Sequence, residues 1–187
     1  IAKRLMDLIL AVLLGILSCP FWIGAAIAIK LHDGGKILFK QKRATIGGRT
    51  FEVYKFRTMK ENVENRSASV GDSRITKPGQ FLRKTRIDEL PQLINIIKGD
   101  MTFVGPRPER QYFIDMIRKE NPNYDYIYLM RPGLTSMATI YNGYTDTLEK
   151  MLVRLEMDLE YLQKRSLWYD LKIIVTTALY IITGKKF

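Results

Sequence analysis

Residues Leu8 to Ile29, LILAVLLGILSCPFWIGAAIAI, contain no charged side chain and decide what kind of protein this is. Drawn as a straight helix the stretch reaches about 33 Å at about 1.5 Å per residue, the thickness of a bilayer core. Pro20 falls near its middle, where it removes a backbone donor and clashes with the preceding turn, so the helix breaks or kinks there. Gly15 and Gly24 flank that weak point. A secretory signal usually has a shorter apolar core and an A-x-A-like cleavage site, neither of which is evident, so a retained membrane anchor is the better reading.

Working outward, both flanks are basic, with Lys3 and Arg4 before the run and Lys30, Lys36, Lys40, Lys42 and Arg43 after it. The positive-inside rule then places both ends on the cytoplasmic side. Hydropathy alone fits a single kinked spanning helix equally well. The charge symmetry favours a re-entrant helix-break-helix with Ser18, Cys19 and Pro20 as its hinge, carbonyls freed near the break being met by the Ser18 hydroxyl or by protein packed beneath.

The remaining composition narrows the chemistry. The 187 residues are 47% hydrophobic and only 26% charged, too apolar for a disordered tail. One Cys and one His exclude a disulfide framework, a Cys/His zinc cluster and Cys-His catalysis with a second His. Chemistry therefore rests on carboxylates, Lys and Arg. A formal charge of +11 calls for a polyanionic partner, either nucleotide phosphates, an anionic lipid surface or nucleic acid. The apolar segment argues against nucleic acid, since a soluble binder has no use for it.

Beyond residue 31 a second region, 32–187, reads as a cytoplasmic-face body of mixed α/β character dominated by helices. Ile37–Phe39 and Thr50–Phe56 are β-like runs turned at Gly47-Gly48. Residues 60–80 are polar and read as a mobile surface loop. Apolar spacing predicts one helix from Phe81 to Lys98 stopped by Gly99, another over about 109–119 and a longer one over about 147–165. In the last of these Leu148, Leu152, Leu155, Leu159 and Leu162 make a core stripe. Residues of about 166–183, carrying Trp168 and Tyr169 ahead of an apolar stretch, suit an interfacial amphipathic helix better than a second span. A buried packing helix is the alternative.

The strongest candidates for chemistry are the adjacent carboxylates Asp88 and Glu89 in R-I-D-E-L-P-Q, preceded by Arg83, Lys84 and Arg86. The local alternative is a helix start with Asp88 as N-cap, Glu89 in the first turn and Pro91 tolerated there. In the functional reading, a carboxylate beside cations stays ionised, binds Mg²⁺ and attacks a phosphorus whose oxygens are neutralised. Arg107, between two prolines, and Arg131 in R-P-G present planar forks suited to phosphate.

These motifs occur as an ordered set: K-F-R-T-M (55–59), R-x-x-x-x-D-E-L-P-Q-L-x-N (83–95), K-G-D-M-x-x-V-G-P-R-P (98–108), R-P-G-x-T (131–135) and D-L-K-I (170–173). Together with Lys3-Arg4 and Asp7 the set resembles the bacterial sugar transferases called monotopic phosphoglycosyl transferases, over nearly the full chain. The resemblance implies an enzyme on the cytoplasmic face of the bacterial inner membrane. It would move a sugar-1-phosphate from a UDP-sugar to polyprenol phosphate, usually undecaprenyl phosphate, and release UMP.

It also implies roles. Asp88 would be the nucleophile of a ping-pong sequence, Asp88 and Glu89 would work with Mg²⁺, and Lys55, Arg83, Arg107 and Arg131 would hold phosphates. Anionic membrane lipid would be a further partner, and a homo-oligomer is compatible with the pattern. The chain departs from the family at the hinge, with Cys19-Pro20 for Ser-Pro. It departs again at Gly34-Gly35, at Arg43-Ala44-Thr45 and at Ser136-Met137-Ala138-Thr139, where G-W-A-Q is usual. These departures bear on sugar or uridine recognition rather than on the reaction. Two other classes remain open at this stage, a non-enzymatic basic membrane adaptor and a membrane-anchored phosphohydrolase using the same carboxylates.

Overall fold

A computed structural model describes residues 1–60, 72–143 and 145–184. The apolar segment forms two helices, α1 (Ala2–Leu17) and α2 (Cys19–Asp33), bent by 60° at Ser18. The break comes two residues before the proline because Pro20 occupies the first turn of α2, where its missing N–H would have had no helical partner in any case. Buried Ser18 holds the bend, its Oγ lying 3.4 Å from the Gly15 carbonyl and accepting from Trp22 Nε1 at 3.0 Å. Trp22 in turn meets the edge of Phe56. Ser18→Ala removes the indole's acceptor and is expected to cost about 1–2 kcal/mol, read by denaturant unfolding in detergent with Trp fluorescence. An unchanged midpoint would leave the bend to packing alone.

Both ends of the bent pair are fastened to the same body. In α1, buried Asp7 accepts from Thr102 Oγ1 at 2.7 Å and Phe103 N at 3.1 Å, and Arg4 donates to the Ile96 and Ile97 carbonyls. At the far end of α2, Asp33 pairs with Arg57. Two of the residues counted as flanking charges, Lys3 and Arg4, are thus spent on internal ties.

The body follows as β1 (Leu38–Ala44) and β2 (Thr50–Phe56), an antiparallel hairpin, then α3 (Lys77–Lys84), α4 (Gln92–Lys98) and β3 (Thr102–Val104). After these come α5 (Gln111–Glu120), β4 (Gly133–Thr135), α6 (Met137–Tyr141), α7 (Leu148–Lys164) and α8 (Leu167–Thr183). Helices dominate, as expected of the mixed α/β class. The hairpin's first strand runs beyond the predicted Phe39 to Ala44, because the basic residues Lys40 and Lys42 alternate outward from the pleat instead of ending it, while Arg43 turns to the other face.

The single helix predicted over 81–98 is three pieces. Arg86 adopts φ 60°, the left-handed region, and Ile87–Glu89 forms a 3-10 turn between α3 and α4. Of the predicted loop at 60–80, residues 61–71 lie outside the described residues, and its end is helical because Pro78 stands in the first turn of α3 behind the Thr76 cap.

A short parallel pair, β3 with β4, went unread in the sequence. It brings G-P-R-P against R-P-G-x-T so closely that a Cβ on Gly133 would lie 2.1 Å from Gly105 N, which only glycine at both positions allows. The main core packs Ile96, Met101, Phe103, Ile114, Leu155 and Ile173. A second cluster joins Ala25, Ile29, Phe56 and Leu82, with Trp22, Ile87 and Leu90 against it.

Apolar residues left outside include Leu13, Ile16, Leu17, Phe21, Ile23 and Ile27 on the bent pair, and Trp168, Val175, Leu179 and Ile182 on α8. Such an expanse exceeds what soluble monomers expose and belongs to a membrane-associated protein. Among the described residues no single helix is long and apolar enough to cross a bilayer, while the bent pair together is. In α8 only Asp170 and Ile173 are buried.

Candidate active site

The strained turn at Arg86 sets the position of Asp88. It rotates the chain between α3 and α4 so that Ile87 and Leu90 pack on α2 while Asp88 turns inward and is buried. Asp88 is no N-cap, since Pro91 holds that position in α4 and no side chain caps the helix. Its Oδ1 is buried without a hydrogen-bond partner. Asn95, the last residue of the D-E-L-P-Q-L-x-N motif, locks α4 to β2 by donating to Glu52 O at 2.7 Å and accepting from Tyr54 N at 3.0 Å. That registers Lys55, next along β2, opposite Glu89.

Lys55 Nζ donates to Glu89 Oε1 at 2.7 Å, and Arg86 Nη1 lies 3.8 Å from Glu89 Oε2. Burial and the neighbouring Glu89 charge push the Asp88 carboxyl up to about 6, against which Lys55, Arg86 and Arg83 pull. Burial would raise Glu89 as well, but Lys55 and Arg86 overcome it and hold Glu89 down at about 2. The two acids thus share unequally, with the charge settled on Glu89 and Asp88 close to titration at neutral pH.

An open cleft of about 360 Å³ runs along this edge, lined by Lys55, Glu89, Gln92, Arg107, Arg43 and Thr139 among others. Of the residues expected to hold phosphate, Lys55 and Arg107 line it. Arg83 lies behind, donating from Nε to Thr58 Oγ1 at 2.9 Å, within electrostatic reach of Asp88. The structure does not bring Arg131 into the cleft. Its Nε donates to the Gly99 carbonyl at 2.9 Å, at the C-terminal end of α4, where a cation favourably meets the helix dipole. Thr139, in the segment that departs from the family pattern, faces the cleft from α6, whose N-cap is Ser136.

Sequence reasoning missed Arg43, Glu109, Arg154 and Asp158. Glu109 is buried and meets Arg154 at 3.1 Å, Arg43 at 3.6 Å and Arg107 at 3.8 Å. Asp158 is buried nearby and pushed up to about 7 by burial and by Glu109, against Arg154. On α7, Arg154 and Asp158, four residues apart, share the buried side of the helix with Met151 and Tyr161, beside the leucine stripe rather than on it, so the stripe does not mark them.

Two carboxylates of opposite tendency beside a cation-lined cleft can hold a phosphorylated anion against a nucleophilic oxygen. Comparison with known proteins agrees. The bacterial sugar transferase family model matches residues 1–184. The chain is 42% identical over 186 residues to a UDP-glucose:undecaprenyl-phosphate glucose-1-phosphate transferase of Caulobacter vibrioides, covering 97% of this chain and 70% of that protein. It is 40% identical over 185 residues to a UDP-N-acetylgalactosamine-undecaprenyl-phosphate N-acetylgalactosaminephosphotransferase of Aeromonas hydrophila, covering 97% and 44%. Against an Escherichia coli protein named like the Caulobacter one, identity is 41% over 181 residues, covering 94% and 39%. The chain thus spans less than half the length of two of these three relatives. With its D-E pair, its clamped G-P-R-P and its bent apolar pair all inside the matched region, the chain belongs to the bacterial sugar transferase family.

Proposed function

We propose that this chain transfers a sugar-1-phosphate from a UDP-sugar to undecaprenyl phosphate and releases UMP, by a ping-pong route through Asp88. The observation that carries the reading is the buried, unpartnered Asp88 Oδ1 beside a cleft lined by Lys55, Arg43 and Arg107. In the first step Asp88 Oδ1 attacks the phosphorus that bears the sugar, and the bond from that phosphorus to the bridging oxygen breaks. UMP leaves with the electron pair, and an acyl phosphate remains on Asp88. In the second, an oxygen of the lipid phosphate attacks the same phosphorus, and the Asp88 oxygen departs as carboxylate. Two anions never have to meet without a cationic wall between them.

Lys55 keeps Glu89 ionised and orients it, while Arg107 offers a fork to phosphate. The orphaned Asp88 oxygen and the adjacent Glu89 suit Mg²⁺, which takes one or two carboxylates and completes its shell with water and substrate phosphate. Among the described residues no group of three or more His, Cys, Asp or Glu could by itself form a cage for the ion. Bound there, the ion would neutralise phosphate oxygens.

A lipid acceptor is supported by the packing of the dyad's neighbours: Ile87 and Leu90 rest on Trp22, Ala25 and Ile29 of the bent pair, which suits a nucleophile close to where a lipid phosphate is presented. Both ends of that pair are tied to one body, which supports a re-entrant wedge rather than a span. The basic residues that follow the pair, Lys30, Lys36, Lys40 and Lys42, support a location on the cytoplasmic face of the bacterial inner membrane.

The test is the intact mass of detergent-solubilised protein given Mg²⁺ and a panel of UDP-sugars without lipid acceptor. A phosphosugar increment is expected, absent from Asp88→Asn and absent after chelation. An increment that survives in Asp88→Asn would move the nucleophile elsewhere, and one undiminished by chelation would remove Mg²⁺ from the scheme.

A further inference from the structure

The leaving end of the cleft carries an assignment that the D-E pair does not. In-line displacement puts the departing oxygen on the far side of phosphorus from the nucleophile, so the leaving phosphate needs cations away from Asp88. Three cations line the cleft: Lys55, Arg43 and Arg107. Lys55 is committed to Glu89 at 2.7 Å. The other two flank Pro108, Arg43 being held in place by its Nη1 donating to the Pro108 carbonyl at 3.2 Å and its Nη2 to Gln41 Oε1 at 2.6 Å. Arg107 and Pro108 also form one wall of a second, shallow hollow bordered by Tyr124, Ile127 and Tyr128.

Resting on the transfer reaction proposed above, we infer that Arg43 and Arg107 form a two-guanidinium clamp on the phosphate of the departing UMP, and that Glu109 is the positioning residue that holds both. Glu109 faces Arg43 at 3.6 Å, Arg107 at 3.8 Å and Arg154 of α7 at 3.1 Å. Its backbone carbonyl also accepts from Ala44 N at 3.1 Å, which fixes the strand carrying Arg43. Burial lowers Arg43 to about 10, so it remains charged at neutral pH, and its Nε is buried with no hydrogen-bond partner. Arg154 stands on the core face of α7 and backs Glu109 rather than reaching the cleft.

Cation count decides how the cluster must behave. Around Glu109 stand Arg43, Arg107 and Arg154, with Asp158 beyond. One buried anion therefore serves several guanidiniums, leaving an excess positive charge that a phosphate dianion completes. Releasing UMP reopens that deficit, so the same clamp that assists departure binds the product.

The experiment measures UMP binding to the full detergent-solubilised chain by equilibrium dialysis, with uridine as a competitor that lacks the phosphate. Arg43→Ala is expected to weaken UMP at least about tenfold while uridine stays within about twofold, and Arg43→Lys to lose about three- to fivefold because an ammonium replaces the fork. Glu109→Gln separates two roles by sign. If Glu109 were only a counter-charge, removing its charge would tighten UMP; as the residue that orients the clamp, its loss weakens UMP about three- to tenfold, again sparing uridine. Tightened UMP in Glu109→Gln, unchanged UMP in Arg43→Ala, or equal losses of UMP and uridine would each overturn the inference. A wild type that forms the phosphosugar adduct while Arg43→Ala binds UMP normally leaves the reaction standing and removes only the clamp. A wild type with no affinity for UMP overturns both.

Discussion

Asp88→Asn is expected to lower turnover by at least about 10,000-fold and, at the same time, to make the protein harder to unfold at pH 8. The first effect follows from loss of the nucleophilic oxygen, and the second from the state in which the fold keeps it. Burial and the Glu89 charge hold Asp88 at about 6, above the 3.8 of a free carboxyl. Between those values the folded chain keeps a proton that the unfolded chain releases. The contribution to stability is therefore full below about pH 3.8 and is lost as pH rises through about 6. At pH 8 the wild type bears the whole cost of a buried carboxylate beside a second one, at most about 3 kcal/mol.

An Asn carries no charge at any pH, and the Lys55–Glu89 pair survives it. The variant should gain about 1–3 kcal/mol over wild type at pH 8, with the gap closing towards pH 4. Thermal unfolding in detergent at the two pH values checks it. A variant less stable than wild type at pH 8, or a gap independent of pH, would mean that Asp88 is satisfied by a partner and not held in reserve. Glu89 runs the other way. Held at about 2 by Lys55 and Arg86 despite its burial, it stabilises above the free carboxylate range, and that stabilisation is lost as pH falls through about 2. The dyad thus pairs a settled anion with a restless one.

How much of this was readable beforehand depends on whether the signal was local. The bent apolar pair, the β1–β2 hairpin and the helices over 109–119, 147–165 and 166–183 follow from periodicity and Pro/Gly punctuation, and they stand in the structure, the helices with shifts of a residue or two and β1 running five residues further. The break between α3 and α4 does not follow, because Arg86 takes a left-handed conformation that nothing in its residue type demands. Tertiary contacts of Ile87 and Leu90 with α2 impose it. The same holds for β3 and β4, three residues each, too short to show alternation and defined by the Gly105–Gly133 approach across a long stretch of chain.

Within the site, Asp88, Glu89, Lys55 and Arg107 were visible as motif residues; Glu89, Lys55 and Arg107 line one cleft, and Asp88 is buried next to Glu89 in the chain. Arg131 was visible too, yet its guanidinium fork is turned to the end of α4. The Glu109 cluster was hidden for a physical reason. It gathers one residue from β1, two from the G-P-R-P turn and its sequel, and two from α7, and each reads locally as an ordinary surface charge. Only the burial of Arg154 and Asp158 on the side of α7 that also carries Met151 and Tyr161 reveals it, and burial is a property of the packed helix.

Asp170 carries the largest expected effect on stability. It is almost wholly buried and is the meeting point of four elements: Oδ1 accepts from Tyr161 on α7 at 2.5 Å and Oδ2 from Lys3 on α1 at 2.5 Å. Both donors also reach the Val104 carbonyl at the end of β3, at 3.3 Å and 3.0 Å. The residue itself belongs to α8, so one carboxylate joins the two apolar elements that face outward to the protein between them. Removing it leaves an ammonium and a phenol against a single carbonyl in a largely dry site. Breaking a fully buried pair from one side costs about 3–5 kcal/mol, and because Lys3 is 37% exposed the expectation for Asp170→Ala is nearer about 2–4 kcal/mol. Lys3→Met should cost less, since it leaves Asp170 bonded to Tyr161, and the double variant should cost less than the sum of the two. Because α8 has only Asp170 and Ile173 buried, its loosening should precede global unfolding. Hydrogen exchange across residues 167–183 would then rise in Asp170→Ala while α4 and the Asp88 turn stay protected. Uniform exchange across the whole chain would mean that α8 is no separate unit and that its carboxylate holds the core as a single piece.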